Sequence, residues 1–203
     1  MRRLALILPI LALPILSLAA CGPKQESLGK VGGAPPSLLV STRLLTADGN
    51  SLGDVELRQM ADGVQLIATV KGLPAGQYAM HLHAVGRCIG PDFASAGPHF
   101  NPAAKQHGRD NPMGAHAGDL PNLDVGEKDV GEKGVGEKGV GEVSLMLPGL
   151  RLADGAAPLI DADGAAVVLH AKADDYRSDP AGNAGSRIAC GEVKVKGGAT
   201  DGS

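Results

Sequence analysis

Tryptophan is absent from this 203-residue chain, and tyrosine and phenylalanine number two each, so aromatics make up only 2% of it. Hydrophobic residues still reach 43%, which means that a core must be packed from Val, Leu, Ile and Ala. The shortage also removes the stacking platforms that hold single-stranded nucleic acid. No basic block offers a phosphate track, so nucleic acid is not an expected partner. Nothing beyond the N-terminal segment shows the period of a long amphipathic helix. Glycine (30) and proline (14) are plentiful instead, which favours short strands between turns.

The strand signals follow that expectation. "SLLVSTRLLTADG" leads into "DVELRQMADGVQLIATVKG", where "ADG" before Val64 is a hairpin turn. Val64, Leu66, Ala68 and Val70 alternate with Gln65, Ile67, Thr69 and Lys71, the pattern of a half-buried strand. "EVSLMLPGLRL", "AAVVLHAKA" and "RIACGEVKVK" supply further short runs. The class expected is all-β, a sandwich or barrel. Residues 125–143, "VGEKDVGEKGVGEKGVGEV", repeat a five-residue unit with one Val each, too sparse to bury a core. The segment reads as an extended β-ribbon or a mobile loop.

Residues 1–20 read as an export leader. Arg2 and Arg3 precede the apolar run "LALILPILALPILSLAA", which ends in Leu18-Ala19-Ala20-Cys21. That ending resembles a bacterial lipobox and implies that Cys21 carries lipid and begins the mature chain. The alternative is an ordinary leader ending near a cysteine. Gly22 stands where a retention signal for the inner membrane has Asp, so the outer membrane is the expected anchor within a periplasmic or envelope location. Residues 21–37 read as a flexible tether, residues 38–196 as the folded domain, and residues 197–203 as a disordered tail. The chain's 19 basic and 22 acidic side chains give −3; without Arg2 and Arg3 the net charge is −5. Cys88 and Cys190 then remain as a pair. In an exported chain a pair reads as a disulfide, the alternative being two free thiols.

The six histidines are not scattered. His81 and His83 lie two apart on a predicted strand and so share a face, opposite Met80 and Leu82. His170 ends another strand. His99, His107 and His116, followed by Asp119, fall in a Gly-, Pro- and Asn-rich stretch that reads as a loop. Such nitrogen and oxygen donors suit zinc. A loop with so little to bury is expected to take its order from the metal.

At these residues the sequence resembles the copper/zinc superoxide dismutases of the exported bacterial type. The matching stretches are "HLH", "SAGPHFNP", "HG", "HAGDLPN", "HAKADD" and "GNAGSRIACG", in family order from about residue 38 to 196. The resemblance implies a Greek-key β-barrel or sandwich with long metal-binding loops. It assigns copper to His81, His83, His99 and His170, and zinc to His99, His107, His116 and Asp119, one ion of each per subunit. His99 is then the bridging ligand and takes part in catalysis together with Arg187, the anion-docking arginine. Asp174 becomes the carboxylate joining a copper ligand to a zinc ligand, and Cys88 and Cys190 the family disulfide. The activity implied is conversion of superoxide to oxygen and hydrogen peroxide, protecting the envelope; a homodimer is compatible with it. The other readings are a copper/zinc-binding envelope lipoprotein without turnover and a structural envelope protein. The repeat has no counterpart in the resemblance. The stretch from Asp174 to Arg187 is short beside the charged loop of eukaryotic relatives.

Overall fold

The computed structural model describes residues 38–126 and 139–194. The leader, the tether with Cys21, repeat residues 127–138 and the tail lie outside the described residues. Among the described residues no helix is long and apolar enough to cross a membrane.

Nine strands carry the fold: β1 (Leu39–Leu45), β2 (Ser51–Gln59), β3 (Gly63–Leu73), β4 (Gly76–Tyr78), β5 (Met80–His83), β6 (Leu123–Val125), β7 (Gly139–Pro148), β8 (Ala165–His170) and β9 (Arg187–Val193). The helical element among the described residues is one 3-10 turn at Ala94–Ala96. Seven strands form one antiparallel sheet in the order β5-β8-β9-β1-β2-β3-β7, and β4 pairs with β6. The curled sheet closes through this small pair. β4 and β5 are one strand broken at Ala79, and Gly126 beyond β6 bridges Val140 of β7. Going round the wall from β3, the next strands are β7, β6 and β4–β5, so the chain returns past two places. That return makes a Greek key, as expected.

The predicted turn after Met60 joins β2 to β3, with Gln59 paired to Val64. Val64, Leu66, Ala68 and Val70 are fully buried, while Ile67 between them is 38% exposed. Each such Val or Leu contributes about 1.5–3 kcal/mol of burial. The core is aliphatic, with Leu44, Val55, Leu57, Val167 and Leu169 among its members. β8 is buried on both faces. Val167 and Leu169 enter the main core, and Ala166 and Val168 pack in a smaller cluster with Phe93, Ala96 and Cys190.

The ends of the repeat belong to the wall. Val125 lies in β6, and residues 139–143 open β7. A Cβ on Gly141 would stand 2.9 Å from the Asp124 carbonyl oxygen, so the two strands approach as closely as glycine allows.

Candidate metal centre

β5 sorts its side chains as the alternation requires. Met80 and Leu82 are fully buried in the main core. His81 and His83 point the other way and are fully buried too, under a long segment carrying His99, His107, His116 and Asp119.

That segment orders itself more than expected. The Phe100 N–H donates to the Leu82 carbonyl at 2.8 Å, the Leu82 N–H to Gly118 at 2.9 Å, and the Gly118 N–H to Phe100 at 2.8 Å. His99 bridges His83 and Asp119 bridges His81 as short antiparallel contacts. The loop is thus hydrogen-bonded to the edge of β5 that β8 leaves free. Backbone pairing with β5 fixes part of its path, beside the order a metal would add.

Two donor clusters result, and they share one residue. His81, His83, His99 and His170 form the first; His99, His107, His116 and Asp119 form the second; in each, one donor atom per residue lies within 4.8 Å of the others. Outside contacts fix which nitrogen each ring turns inward. His83 Nδ1 lies 2.8 Å from the Gly97 carbonyl, and His170 Nδ1 lies 3.3 Å from that of Gly185. Asp174 faces His81 Nε2 at 2.8 Å and His107 Nε2 at 3.0 Å. Carbonyls and carboxylates accept, so these ring nitrogens are the protonated ones. The opposite nitrogens are left without partners. Among the described residues the buried orphans are His81 Nδ1, His83 Nε2, His99 Nε2, His107 Nδ1 and His170 Nε2. An unpartnered buried nitrogen is costly, and here four of the five belong to the first cluster.

The second cluster is crowded rather than empty. Asp119 Oδ1 lies 2.9 Å from His99 Nδ1 and 3.0 Å from His116 Nδ1. It is also 3.0 Å from His107 Nδ1, though off the hydrogen-bond axis. His99 and His116 bring their Nδ1 atoms within 3.3 Å of each other. One oxygen cannot accept well from three rings, whereas a divalent cation between them meets every lone pair. Asp119 Oδ2 is kept out of this contact by the N–H groups of Gly108 (2.9 Å) and His116 (3.0 Å).

The electrostatics of three rings agree with the donor set of the first cluster. Burial lowers His83 to about 2, His99 to about 4 and His170 to about 3, with Arg187 adding to it at His83 and His170, and His107 at His99. These rings are neutral at neutral pH, as ligands must be. Burial also opposes charge on His107, but contact with Asp119 and Asp174 outweighs it and raises His107 to about 9, so this ring holds a proton at neutral pH that a cation in the second cluster would displace. Both carboxylates are held well below the usual range, because bonds from the histidines overcome burial. The residues present fit two cations.

Arg187 opens β9 opposite His170. Its guanidinium donates to the Phe93 carbonyl at 2.7 Å and to the Gly97 carbonyl at 2.8 Å. It lines an open pocket of about 1030 Å³ with His99, His116 and His170. Cys88 and Cys190 form a disulfide, Cα to Cα 5.6 Å, which ties the segment bearing Phe93 and Gly97 to the strand that starts at Arg187. All residues expected at the site are brought together; Cys21 lies outside the described residues. Sequence reasoning missed the carbonyl of Gly97, which both His83 and Arg187 use, the roles of Asn122 and Tyr176, and Asp179, whose Oδ1 accepts the His107 N–H at 2.6 Å. Gly97 and Asn122 stood inside quoted motifs; Tyr176 and Asp179 carried no signal.

Six histidines and a carboxylate in two clusters around one shared imidazole, on a closed Greek-key wall, are the donor set of a two-metal β-barrel protein. The family model described as copper/zinc superoxide dismutase (SODC) matches residues 51–193. The chain belongs to the copper/zinc superoxide dismutase family. It is 36% identical over 203 residues to the superoxide dismutase-like protein YojM of Bacillus subtilis (strain 168), covering 95% of this chain and 96% of that one. It is 42% identical over 153 residues to superoxide dismutase [Cu-Zn] 1 of Aquifex aeolicus (strain VF5), covering 74% and 85%. A solved SOD-like protein from Bacillus subtilis matches with a TM-score of 0.67 at 37% identity, covering 75% of this chain and 97% of that one.

Proposed function

We propose that this protein is a superoxide dismutase of the bacterial cell envelope. The observation that carries the reading is His99, whose two ring nitrogens turn into two different donor clusters. His81, His83, His99 and His170 would hold copper, and His99, His107, His116 and Asp119 would hold zinc, one ion of each per chain. Copper, when bound, supplies a one-electron couple through which one superoxide is oxidised to oxygen and a second, with two protons, is reduced to hydrogen peroxide.

The chain's own residues do the rest. His99 can serve both clusters only with both ring nitrogens deprotonated, and its Nε2 is the atom at which a proton can be held and released. Asp174 fixes the tautomers of His81 and His107 at once, keeping one lone pair aimed into each cluster. Arg187 presents a permanent cation to the pocket, with its plane fixed by two carbonyls. The substrate is a small anion and the chain is net negative, so attraction has to be local, and Arg187 supplies it.

A second reading is a copper/zinc-binding envelope protein without turnover; the relative named only superoxide dismutase-like favours it. The presence of Arg187 beside a complete ligand set weighs against it. The test is metal analysis of the purified chain with a dismutation assay. Both metals bound and no superoxide removed would select the second reading. The leader pattern supports export, and lipid on Cys21 would place the enzyme at the outer membrane facing the periplasm. The Cys88–Cys190 bridge accords with an oxidising space. A Cys21→Ala chain should leave the membrane fraction; persistence there would refute the anchor.

A further inference from the structure

Tyr176 adopts a left-handed backbone, φ 59°. A bulky side chain rarely does so, and the conformation persists only where its surroundings determine it. Here they do, at four points. The Tyr176 N–H donates to Asp174 Oδ1 at 2.6 Å, the same oxygen that faces His107 Nε2. The Tyr176 carbonyl accepts the Asp110 N–H at 3.0 Å. The phenol oxygen accepts the Asn122 N–H at 2.7 Å. The guanidinium of Arg109 lies 3.7 Å over the ring.

The partners bracket the second cluster. Gly108, Arg109 and Asp110 follow His107, and Asn122 follows His116 and Asp119. Asn122 also closes on Asp174 in both directions, its Nδ2 donating to the Asp174 carbonyl at 3.0 Å and its Oδ1 accepting the Asp174 N–H at 2.8 Å. Gly108, at φ 97°, leaves room for the Tyr176 carbonyl; any side chain there would collide with it. One half-buried tyrosine therefore touches both ends of the segment that carries three of the four donors, and the carboxylate that orients one of them. The first cluster depends on it less: His81, His83 and His170 stand on β5 and β8, and the link to Tyr176 runs only through the Asp174 contact with His81.

We infer that Tyr176 is a positioning residue for the zinc cluster. It pins residues 108–110 and 122 against Asp174, so that His107, His116 and Asp119 are pre-arranged for the metal and zinc leaves slowly. This rests on the second cluster being the zinc site, not on turnover. A loop left to wander would have to be ordered each time the metal binds. The ring and hydroxyl of Tyr176 remove that cost ahead of binding.

The test uses the full chain loaded with copper and zinc. Zinc release is followed with a chromophoric chelator and copper retention by elemental analysis. Tyr176→Ala should release zinc about ten- to a hundredfold faster. Tyr176→Phe, which keeps the ring under Arg109 and loses only the acceptor for Asn122, should be about fivefold faster. Arg109→Ala should be about threefold faster. Copper retention should stay within about twofold of the parent in all three. Zinc release unchanged in Tyr176→Ala, or copper lost as readily as zinc, would overturn the inference. Should Tyr176→Ala fail to fold, Tyr176→Phe decides in the same way. A parent protein that holds both metals and removes no superoxide would sink the dismutase reading and leave this one standing.

Discussion

Acidification of the metal-free chain should expose the strain of packing neutral imidazoles together. His83, His99 and His170 are lowered to about 2, 4 and 3, chiefly by burial. In the unfolded chain the same rings take a proton below about pH 6.5. A group whose proton affinity falls on folding contributes stability above its unfolded value and loses it as pH drops. Each ring then costs about 1.4 kcal/mol per pH unit, because the unfolded state binds one proton more. Over the two units from about pH 6.5 to 4.5 the unfolded rings go from half to fully protonated, so three rings cost about 6–7 kcal/mol. His107 runs the other way. Raised to about 9, its contribution is complete below about 6.5 and is lost only as pH rises through 9, so it adds no slope in this window. Asp119 and Asp174, both lowered, lose their contribution only below the ordinary carboxylate range. A loss of about 6–7 kcal/mol is comparable with the whole stability of a typical domain, about 5–15 kcal/mol. Urea unfolding of chelator-treated protein, followed by circular dichroism at the two pH values, measures it. A difference under about 2 kcal/mol would refute the reasoning, since the rings would then be protonated in the folded chain.

Two further outcomes follow from the same geometry. Arg187→Ala should keep both metals and cut the dismutation rate about ten- to a hundredfold, the worth of a lost charge–anion contact; Arg187→Lys should fall between, and a parental rate with full metal content would remove the arginine from its role. Cys190→Ser opens a link spanning 102 residues, for which chain entropy gives a loss of about 4–5 kcal/mol; an unchanged urea midpoint would show that the packing of Phe93, Ala96 and Val168 holds that segment without the bridge.

The ligands were legible because histidine and aspartate declare their chemistry in the sequence, and because alternation separates His81 and His83 from Met80 and Leu82. The β3 stripe of Val64, Leu66, Ala68 and Val70 was legible for the same reason. What escaped was held by backbone atoms. Nothing in the side chains around Leu82 announces that its N–H and carbonyl bond to Gly118 and Phe100, and so the ligand segment read as a loop with only a metal to order it. β6 is three residues long, too short for any periodicity, and it lies where the repeat begins. The Gly97 carbonyl serves two functional side chains, yet glycine offers no side chain from which to foresee it. Tyr176 looked like an ordinary loop residue because its importance lies in a backbone angle and in partners far away in sequence.

The pairing of Phe100 and Gly118 with Leu82 has a consequence for solubility. A β-strand with one bare side is a template on which another chain can add a strand of its own, the first step towards aggregation. β8 occupies one side of β5, and the segment carrying the metal ligands occupies the other. The ligand segment is therefore also the barrel's guard against self-association. A change that peels it away removes four metal donors and, in the same motion, bares the backbone of Leu82 to any neighbouring chain.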